Sequence, residues 1–209
     1  MTESISAYSD RLFQSLQGID QGQADQLGIY ILQMISSSGS IHLLGNGGSQ
    51  ANAHHIVGDY LKSFSILKQN IRISCFGDNA CYLTAVSNDI DYSEAYSLLV
   101  NSSIRSDDLI IYLSGSGNSM NLVKCAQAAR SKGVKQIAVT AFNGGQLKEL
   151  VDLHVYIPTF DMEIAEDCQL AIFHNLKQNL LKHFSSTLSA QSEVSMTKYA
   201  KRTIEDLVS

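Results

Sequence analysis

Two histidines and two acidic residues in this sequence have spacings that could support metal binding or acid/base chemistry. His55 and Asp59 are four residues apart, a separation that places both on one face of a helix, a single turn from each other. An imidazole and a carboxylate at this spacing could bind a divalent metal ion or exchange protons with a ligand. Such pairs are also common on solvated helix faces, so the spacing alone leaves both interpretations open.

Glu166 and His174 form the second set, within the segment EDCQLAIFHNL. His174 falls among apolar residues there and needs a polar partner. Their separation corresponds to roughly 12 Å of axial rise on a straight helix. The two side chains could therefore reach one metal ion only by extending towards each other, unless the helix begins at or after Glu166 or one of the ligands comes from a neighbouring subunit. The alternative interpretation of His174 is a hydrogen-bonded core histidine.

Two turns rich in glycine and serine each follow an apolar segment. They lie in SIHLLGNGGSQANAHHIVGD, residues 40–59, and in DDLIIYLSGSGNS, residues 107–119. Glycines let backbone N–H groups approach a phosphate, and the helix start that follows adds its positive dipole end. GNGGS lacks the spacing of a dinucleotide fingerprint, and no Walker lysine follows it. The turns therefore predict that the protein binds a phosphorylated small molecule. Strand-to-helix turns rich in glycine and serine also occur in α/β proteins that bind no phosphate.

The elements that must position these residues alternate between strands and helices. Strands are predicted at residues 41–44, 71–76, 109–113, 137–140 and 153–157, and helices at 49–64, 92–102, 118–132 and 164–184. Strands separated by helices pair in parallel with right-handed crossovers. The pattern predicts an α/β fold, a three-layer α/β/α sandwich with a central parallel five-stranded sheet, preceded by one or two amphipathic N-terminal helices.

The length of 209 residues predicts one domain, residues 1–184, followed by a polar C-terminal extension, residues 185–209. Within the extension, KYAKRTIEDLV could form a short amphipathic helix. The interpretations left open for the extension are a frayed tail and a helix that docks on another subunit.

Composition limits the partners. No apolar run approaches the ~20 residues needed to cross a bilayer, which argues against a membrane partner. A net charge of −5, with no basic cluster beyond Lys201 and Arg202, argues against nucleic acid. The first residues lack the features of a signal peptide, and the cysteines lack C-x-x-C spacing. We expect a cytoplasmic protein with free thiols, of which Cys75 and Cys125 are buried.

Four motifs together resemble the sugar isomerase (SIS) superfamily, whose fold is flavodoxin-like. They are GNGGS followed by A-x-H, the segment LTAVSNDIDYSEAY, the turn SGSGNS and a late helix with a histidine. Within the superfamily, the chain is most similar to the phosphoheptose isomerases. The resemblance implies conversion of sedoheptulose 7-phosphate to D-glycero-D-manno-heptose 7-phosphate through an enediol, by a homotetramer with sites at subunit interfaces.

The resemblance also implies a zinc ion and roles for individual residues. The family's zinc-binding positions fall on His55, Asp59, Glu166 and His174. Its substrate-binding positions fall on Asn46, Gly47, Gly48, Ser49, Asp59, Asp78 and Glu166, and its phosphate-binding turn on Ser114, Gly115, Ser116 and Ser119. We assign catalysis to Asp59 and His174, since a carboxylate and an imidazole can supply the base and acid that an aldose–ketose isomerisation requires.

Three positions depart from the family pattern. Asp59 stands where the family has glutamate, Glu166 where it has glutamine, and Ser63 where it has arginine. Asp59 keeps the carboxylate but shortens its reach by about 1.5 Å, and a misplacement of that size can reduce a rate on the order of 100-fold. Glu166 adds a negative charge that would favour a divalent cation. These departures leave the exact sugar phosphate open.

Two other functions remain open at this point. Non-catalytic SIS proteins that act as adaptors for the bacterial replication initiator keep the turns but lose the acid/base residues, whereas His55, Asp59 and His174 all persist here. A sugar-phosphate-sensing regulator would usually carry a DNA-binding module, and the sequence has no pattern of one.

Overall fold

The structure, a computed structural model, describes residues 3–191. Its strands are β1 (Ile41–Leu44), β2 (Ile73–Cys75), β3 (Leu109–Ser114), β4 (Lys135–Thr140) and β5 (Leu153–Tyr156). Its helices are α1 (Ile5–Gln17), α2 (Gln21–Ile35), α3 (Gly47–Ile66), α4 (Ala80–Asp89), α5 (Ala95–Ser103), α6 (Met120–Ser131), α7 (Leu147–Leu150) and α8 (Met162–Gln191). A 3₁₀ turn at Tyr92–Glu94 precedes α5.

All five strands pair in parallel, in the order β2-β1-β3-β4-β5. The register sets Ile41 of β1 opposite Ile73 on one side and Leu109 on the other. All residues of the central strand β3 are buried, as in a sheet covered on both faces. This topology confirms the predicted parallel five-stranded sheet and its flavodoxin-like strand order.

Successive residues of β3 point to opposite faces of the sheet and into two separate cores. Ile111 packs with buried residues of α2, α3 and α8. Ile110 and Tyr112 pack with buried residues of α5 and α6 on the other face. The predicted α/β/α sandwich is confirmed, and the helices that carry the candidate site, α3 and α8, share one layer.

The strand predictions are confirmed, but two helices, α4 and α7, were missed. α7 has four residues, too few to show a helical period. α4 buries only Val86, so it has no apolar stripe from which a helical period could be recognised. Its start is marked instead by Asn79, whose side chain accepts a hydrogen bond of 3.0 Å from the Tyr82 backbone N–H. The two N-terminal helices occur as expected.

α8 continues past residue 184, where the sequence pattern predicted its end, to Gln191. The start of the predicted C-terminal extension is therefore helical. The predicted helix at KYAKRTIEDLV lies outside the residues that the structure describes.

Cys75 and Cys125 are buried free thiols, as expected, and Cys168 is buried as well. Burial raises the pKa of the Cys125 thiol to about 12. Between residues 3 and 191, none of the helices has the length and apolar character that a bilayer crossing requires.

Gly45 directly follows β1, at a point where the backbone leaves no room for a side chain. A Cβ at this position would lie 2.8 Å from the carbonyl oxygen of Leu113 and 2.7 Å from the carbonyl carbon of Ser49. Both are backbone atoms, one at the end of β3 and one in the first turn of α3. The close approach of these two segments therefore requires glycine.

We expect Gly45→Ala to lower the free energy of unfolding by about 1–3 kcal/mol, because the added methyl overpacks a backbone contact. Gly58→Ala is the matched control. Gly58 is exposed within α3, and a Cβ added there would meet no atom of another element within 4 Å. Alanine there should raise the free energy of unfolding by about 0.5–1 kcal/mol through helix propensity. Urea unfolding of both variants measures the difference, and equal effects would contradict this account of Gly45.

Candidate active site

The two turns lie side by side at the carboxyl edge of the sheet. β1 and β3 are parallel neighbours with Leu44 opposite Tyr112, so the turns that follow them leave the same edge. Asn46 ties the first turn to α6. Its amide exchanges hydrogen bonds of 2.9 and 2.8 Å with that of Asn121, and its Oδ1 also accepts one of 2.7 Å from the Tyr92 hydroxyl. The side chain of Asn46 is thus held by the protein itself.

The second turn is shaped by its own serines. The Ser114 hydroxyl accepts a hydrogen bond of 3.1 Å from the Gly117 N–H, and the Ser116 hydroxyl accepts one of 3.2 Å from the Asn118 N–H. Ser119 is the N-cap of α6, yet its hydroxyl has no hydrogen-bond partner within residues 3–191. The Leu122 N–H is already paired with Asn121 Oδ1 and the Ser119 carbonyl. The Ser119 hydroxyl and the N–H groups of Met120 and Asn121, at the start of α6, are available to an anion.

Glycine at two turn positions leaves room for side chains of α8. A Cβ at Gly115 would lie 2.2 Å from the Met162 sulfur, and one at Gly48 would lie 2.1 Å from Glu166 Oε2. The Glu166 carboxylate therefore rests against the first turn of α3. Burial raises its pKa above the ordinary value, while the backbone N–H of Ser49 opposes this effect. A negative side chain thus already lies at the helix start that the sequence suggested for an anionic ligand.

A buried polar network joins α3 to α8 beside this carboxylate. The Asn52 amide donates hydrogen bonds of 2.9 Å to the Glu166 backbone carbonyl and 3.0 Å to Gln169 Oε1. The Gln169 amide donates one of 3.2 Å to the Ser49 hydroxyl. Asn52, Gln169 and Ser49 are all buried. Because unpaired buried polar groups are costly, this network fixes the relative position of the two helices.

Further along the same two helices, His55, Asp59 and His174 come together. Each offers a ligand atom, and the three atoms lie within 4.8 Å of one another. His55 Nε2 is 2.9 Å from His174 Nε2, and His174 Nε2 is 4.0 Å from Asp59 Oδ2. The structure therefore gathers three of the four residues that the sequence proposed as metal ligands. Glu166 is not among them within this chain.

The contact between the two imidazoles requires that at least one be neutral, since only one ring can donate along it. Burial lowers the pKa of His174 below its ordinary value of 6.5, and His55 and Lys177 lower it further, against the opposing effect of Asp59. A neutral imidazole can accept a proton or bind a metal ion.

Lys177 completes the cluster. Its ammonium group donates a hydrogen bond to Asp59 Oδ2 and forms an ion pair with it. The Lys177 side chain is 12% exposed and that of Asp59 23%. Asp59, which the sequence proposed as both base and ligand, is therefore paired with a cation of the same chain.

Asp78 follows β2, the edge strand beside β1, and so shares the carboxyl edge with the two turns. Its side chain is exposed and has no hydrogen-bond partner in the part of the chain that the structure describes. It borders a cavity of about 320 Å³ together with His42 and Tyr82.

The cluster offers a donor set that suits zinc. Two imidazole nitrogens and one carboxylate oxygen are the ligands of many catalytic zinc sites, which keep a further position open. The spread of 4.8 Å among the ligand atoms is compatible with one shared ion. The ammonium group of Lys177 at Asp59 opposes a cation in the cluster.

Sequence analysis missed Lys177, Asn52 and Gln169. The signal was present, because Lys177 is three residues after His174, Asn52 three before His55, and Gln169 three after Glu166. Residues three apart share a helix face. The polar residues three positions from His55, Glu166 and His174 were thus candidates for the site on spacing alone.

Comparison with known proteins agrees with the fold and the motifs. The SIS domain family matches residues 7–141. A phosphoheptose isomerase of Chlorobaculum parvum is 31% identical over 80% of this chain and 81% of its own length. One from Thermodesulfovibrio yellowstonii is 31% identical over 70% of this chain and 73% of its own.

The structure of a phosphoheptose isomerase from Francisella tularensis has the same fold, with a TM-score of 0.79 at 21% identity over 85% of this chain and 95% of that one. The matched domain, the extent of the sequence identity and the shared fold agree with one another. The chain therefore belongs to the SIS domain family and, within it, to the phosphoheptose isomerases.

Proposed function

We propose that this protein is a cytoplasmic enzyme that interconverts sedoheptulose 7-phosphate and D-glycero-D-manno-heptose 7-phosphate. The observation that carries the proposal is the cluster of His55, Asp59 and His174, whose ligand atoms lie within 4.8 Å on two packed helices. Its relatives named phosphoheptose isomerase support the substrate. A non-catalytic adaptor would not need these acid/base groups.

In the proposed reaction, one proton moves between adjacent carbons and another between two oxygens. Asp59 is the base that removes the carbon-bound proton, and neutral His174 carries a proton between the oxygens, so that an enediol forms and collapses. A zinc ion held by His55, Asp59 and His174, with Glu166 as the fourth ligand inferred from the family, would polarise the sugar carbonyl.

We place the phosphate at the second turn, on Ser114, Gly115, Ser116 and Ser119. The Glu166 carboxylate supports this choice, because it lies against the first turn and would repel a phosphate there. Asn46, Gly47, Gly48 and Ser49 of the first turn, together with Asp78 and Glu166, would contact the sugar hydroxyls. The unpartnered hydroxyl of Ser119 supports an anion at the second turn.

We further propose a homotetramer in which subunits share the sites. On α3, His55 lies eight residues after Gly47, roughly 12 Å along the helix axis. The turn and the cluster of one chain are thus well separated. Either an extended heptose phosphate spans this distance, or the cluster of one subunit serves the turns of another.

The first test is an isomerase assay with sedoheptulose 7-phosphate on zinc-loaded and chelated protein. We expect turnover by the zinc-loaded protein and its loss on chelation. His174→Ala should lower kcat by about 10²–10⁴-fold, because the proton carrier is removed. Gln178→Ala, an exposed change on the same helix, is the control and should keep wild-type turnover. Absence of turnover in every metal state would contradict the proposed function.

A second test addresses the phosphate. Ser119→Ala should raise KM about 10-fold or more with little change in kcat, since it removes a hydrogen bond to a charged group. The free energy of unfolding should stay unchanged, because the hydroxyl has no partner in the described structure. Ser131→Ala, at the other end of α6, should leave KM unchanged. An unchanged KM for Ser119→Ala would place the phosphate elsewhere.

A third test concerns the protonation of His174. Because burial and nearby positive groups lower its pKa, we expect the ring to stay neutral as the pH falls through 6.5 and to gain a proton only below that value. A nitrogen-detected NMR titration of the metal-free protein, assigned with His174→Gln, measures this directly. A pKa at or above 6.5 would contradict the electrostatic account of the cluster.

A further inference from the structure

The Asp59 carboxylate is already paired with a cation of its own chain, the ammonium group of Lys177. Lys177 lies three residues after His174 on α8, so both side chains leave the same face of that helix and meet Asp59 on α3. The Lys177 ammonium group is an ion-pair partner and hydrogen-bond donor to Asp59 Oδ2, the same oxygen that lies 4.0 Å from His174 Nε2. The positive charge is thus at the carboxylate that a shared metal ion would use.

The ion pair of Lys177 and Asp59 is partly buried, so water screens its charges only weakly. The carboxylate of Asp59 and the ammonium group of Lys177 carry opposite unit charges, which balance each other within the cluster. A divalent ion added to this arrangement would leave two positive charges in excess. Charges a few Å apart interact strongly where water is partly excluded, so ammonium and metal ion oppose each other at Asp59.

We propose that Lys177 is a built-in counter-cation that competes with the divalent metal ion for Asp59. The site then has two arrangements, one in which Lys177 pairs with Asp59 and one in which the ion takes this carboxylate and Lys177 turns away on its flexible stem. Lys177 therefore sets the metal affinity of the cluster. This inference rests on the metal site of the proposed function, but not on the isomerase reaction.

The test is zinc affinity, measured by competition with a chromogenic chelator on metal-free protein. Lys177→Met, which keeps the apolar stem and removes the charge, should bind zinc about 10-fold or more tightly than wild type. Lys182→Met removes the same charge from an exposed position of the same helix and should match wild type within about twofold. Lys177→Arg retains the charge and should not gain affinity.

A further variant shows where the gained affinity resides. Adding His55→Ala to Lys177→Met should abolish the gain, because the change removes one ligand of the cluster. Cobalt substitution gives a second readout, since its visible absorption reports tetrahedral coordination and should strengthen in Lys177→Met. If Lys177→Met does not fold, as judged by circular dichroism, Lys177→Gln takes its place in every comparison.

Equal zinc affinity of wild type and Lys177→Met would overturn the inference, as would an absence of zinc binding by both. A gain that survives His55→Ala would also overturn it, because the ion would then bind elsewhere. None of these outcomes depends on turnover. Failure of the proposed function appears instead as an absence of isomerisation in every metal state, and the two results are distinguishable.

Discussion

The packing of α3 against α8 determines where the titratable side chains of the candidate site lie, apart from Asp78. Besides the network of Asn52, Gln169 and Ser49, the buried Tyr60 hydroxyl donates a hydrogen bond of 2.9 Å to the backbone carbonyl of Phe173. Hydrogen bonds buried between helices resist sliding, because a shift would leave their donors and acceptors unpaired. The neighbours of Tyr60 and Phe173 in the chain are Asp59 and His174, and the same bonds therefore hold these two in place.

A single helix thus serves both ends of the candidate site. α3 begins at the first turn, where the Ser49 N–H faces the Glu166 carboxylate, and carries His55 and Asp59 two to three turns later. At each end the protein supplies a charge of its own, an anion at the helix start and a cation at the Asp59 carboxylate. The Glu166 carboxylate interacts with the positive end of α3, and the Lys177 ammonium group neutralises Asp59, when no ligand is bound. The same two charges repel a ligand group of like sign at each position.

Much of the fold was predictable from sequence because buried parallel strands are continuous apolar runs. β3 is the clearest case, with every residue buried between two helical layers. α4 escaped prediction because it buries only Val86, and α8 was predicted too short because its last turns carry few apolar residues. The spacing of apolar residues reflects which positions of an element are buried. An element that buries few side chains therefore has no clear apolar period from which it could be predicted.

From residue types and spacing alone, the sequence indicates the α/β class, the family, the two turns and the shared face of His55 and Asp59. These follow from local patterns, in which residue type and spacing are sufficient. The packing of the folded chain adds that the two turns are neighbours, that His174 joins this pair, that Glu166 lies at Gly48 rather than in the cluster, and that Lys177 binds Asp59. The physical reason is that helical spacing specifies the face a side chain occupies, whereas its partner depends on how the facing helix is packed against it.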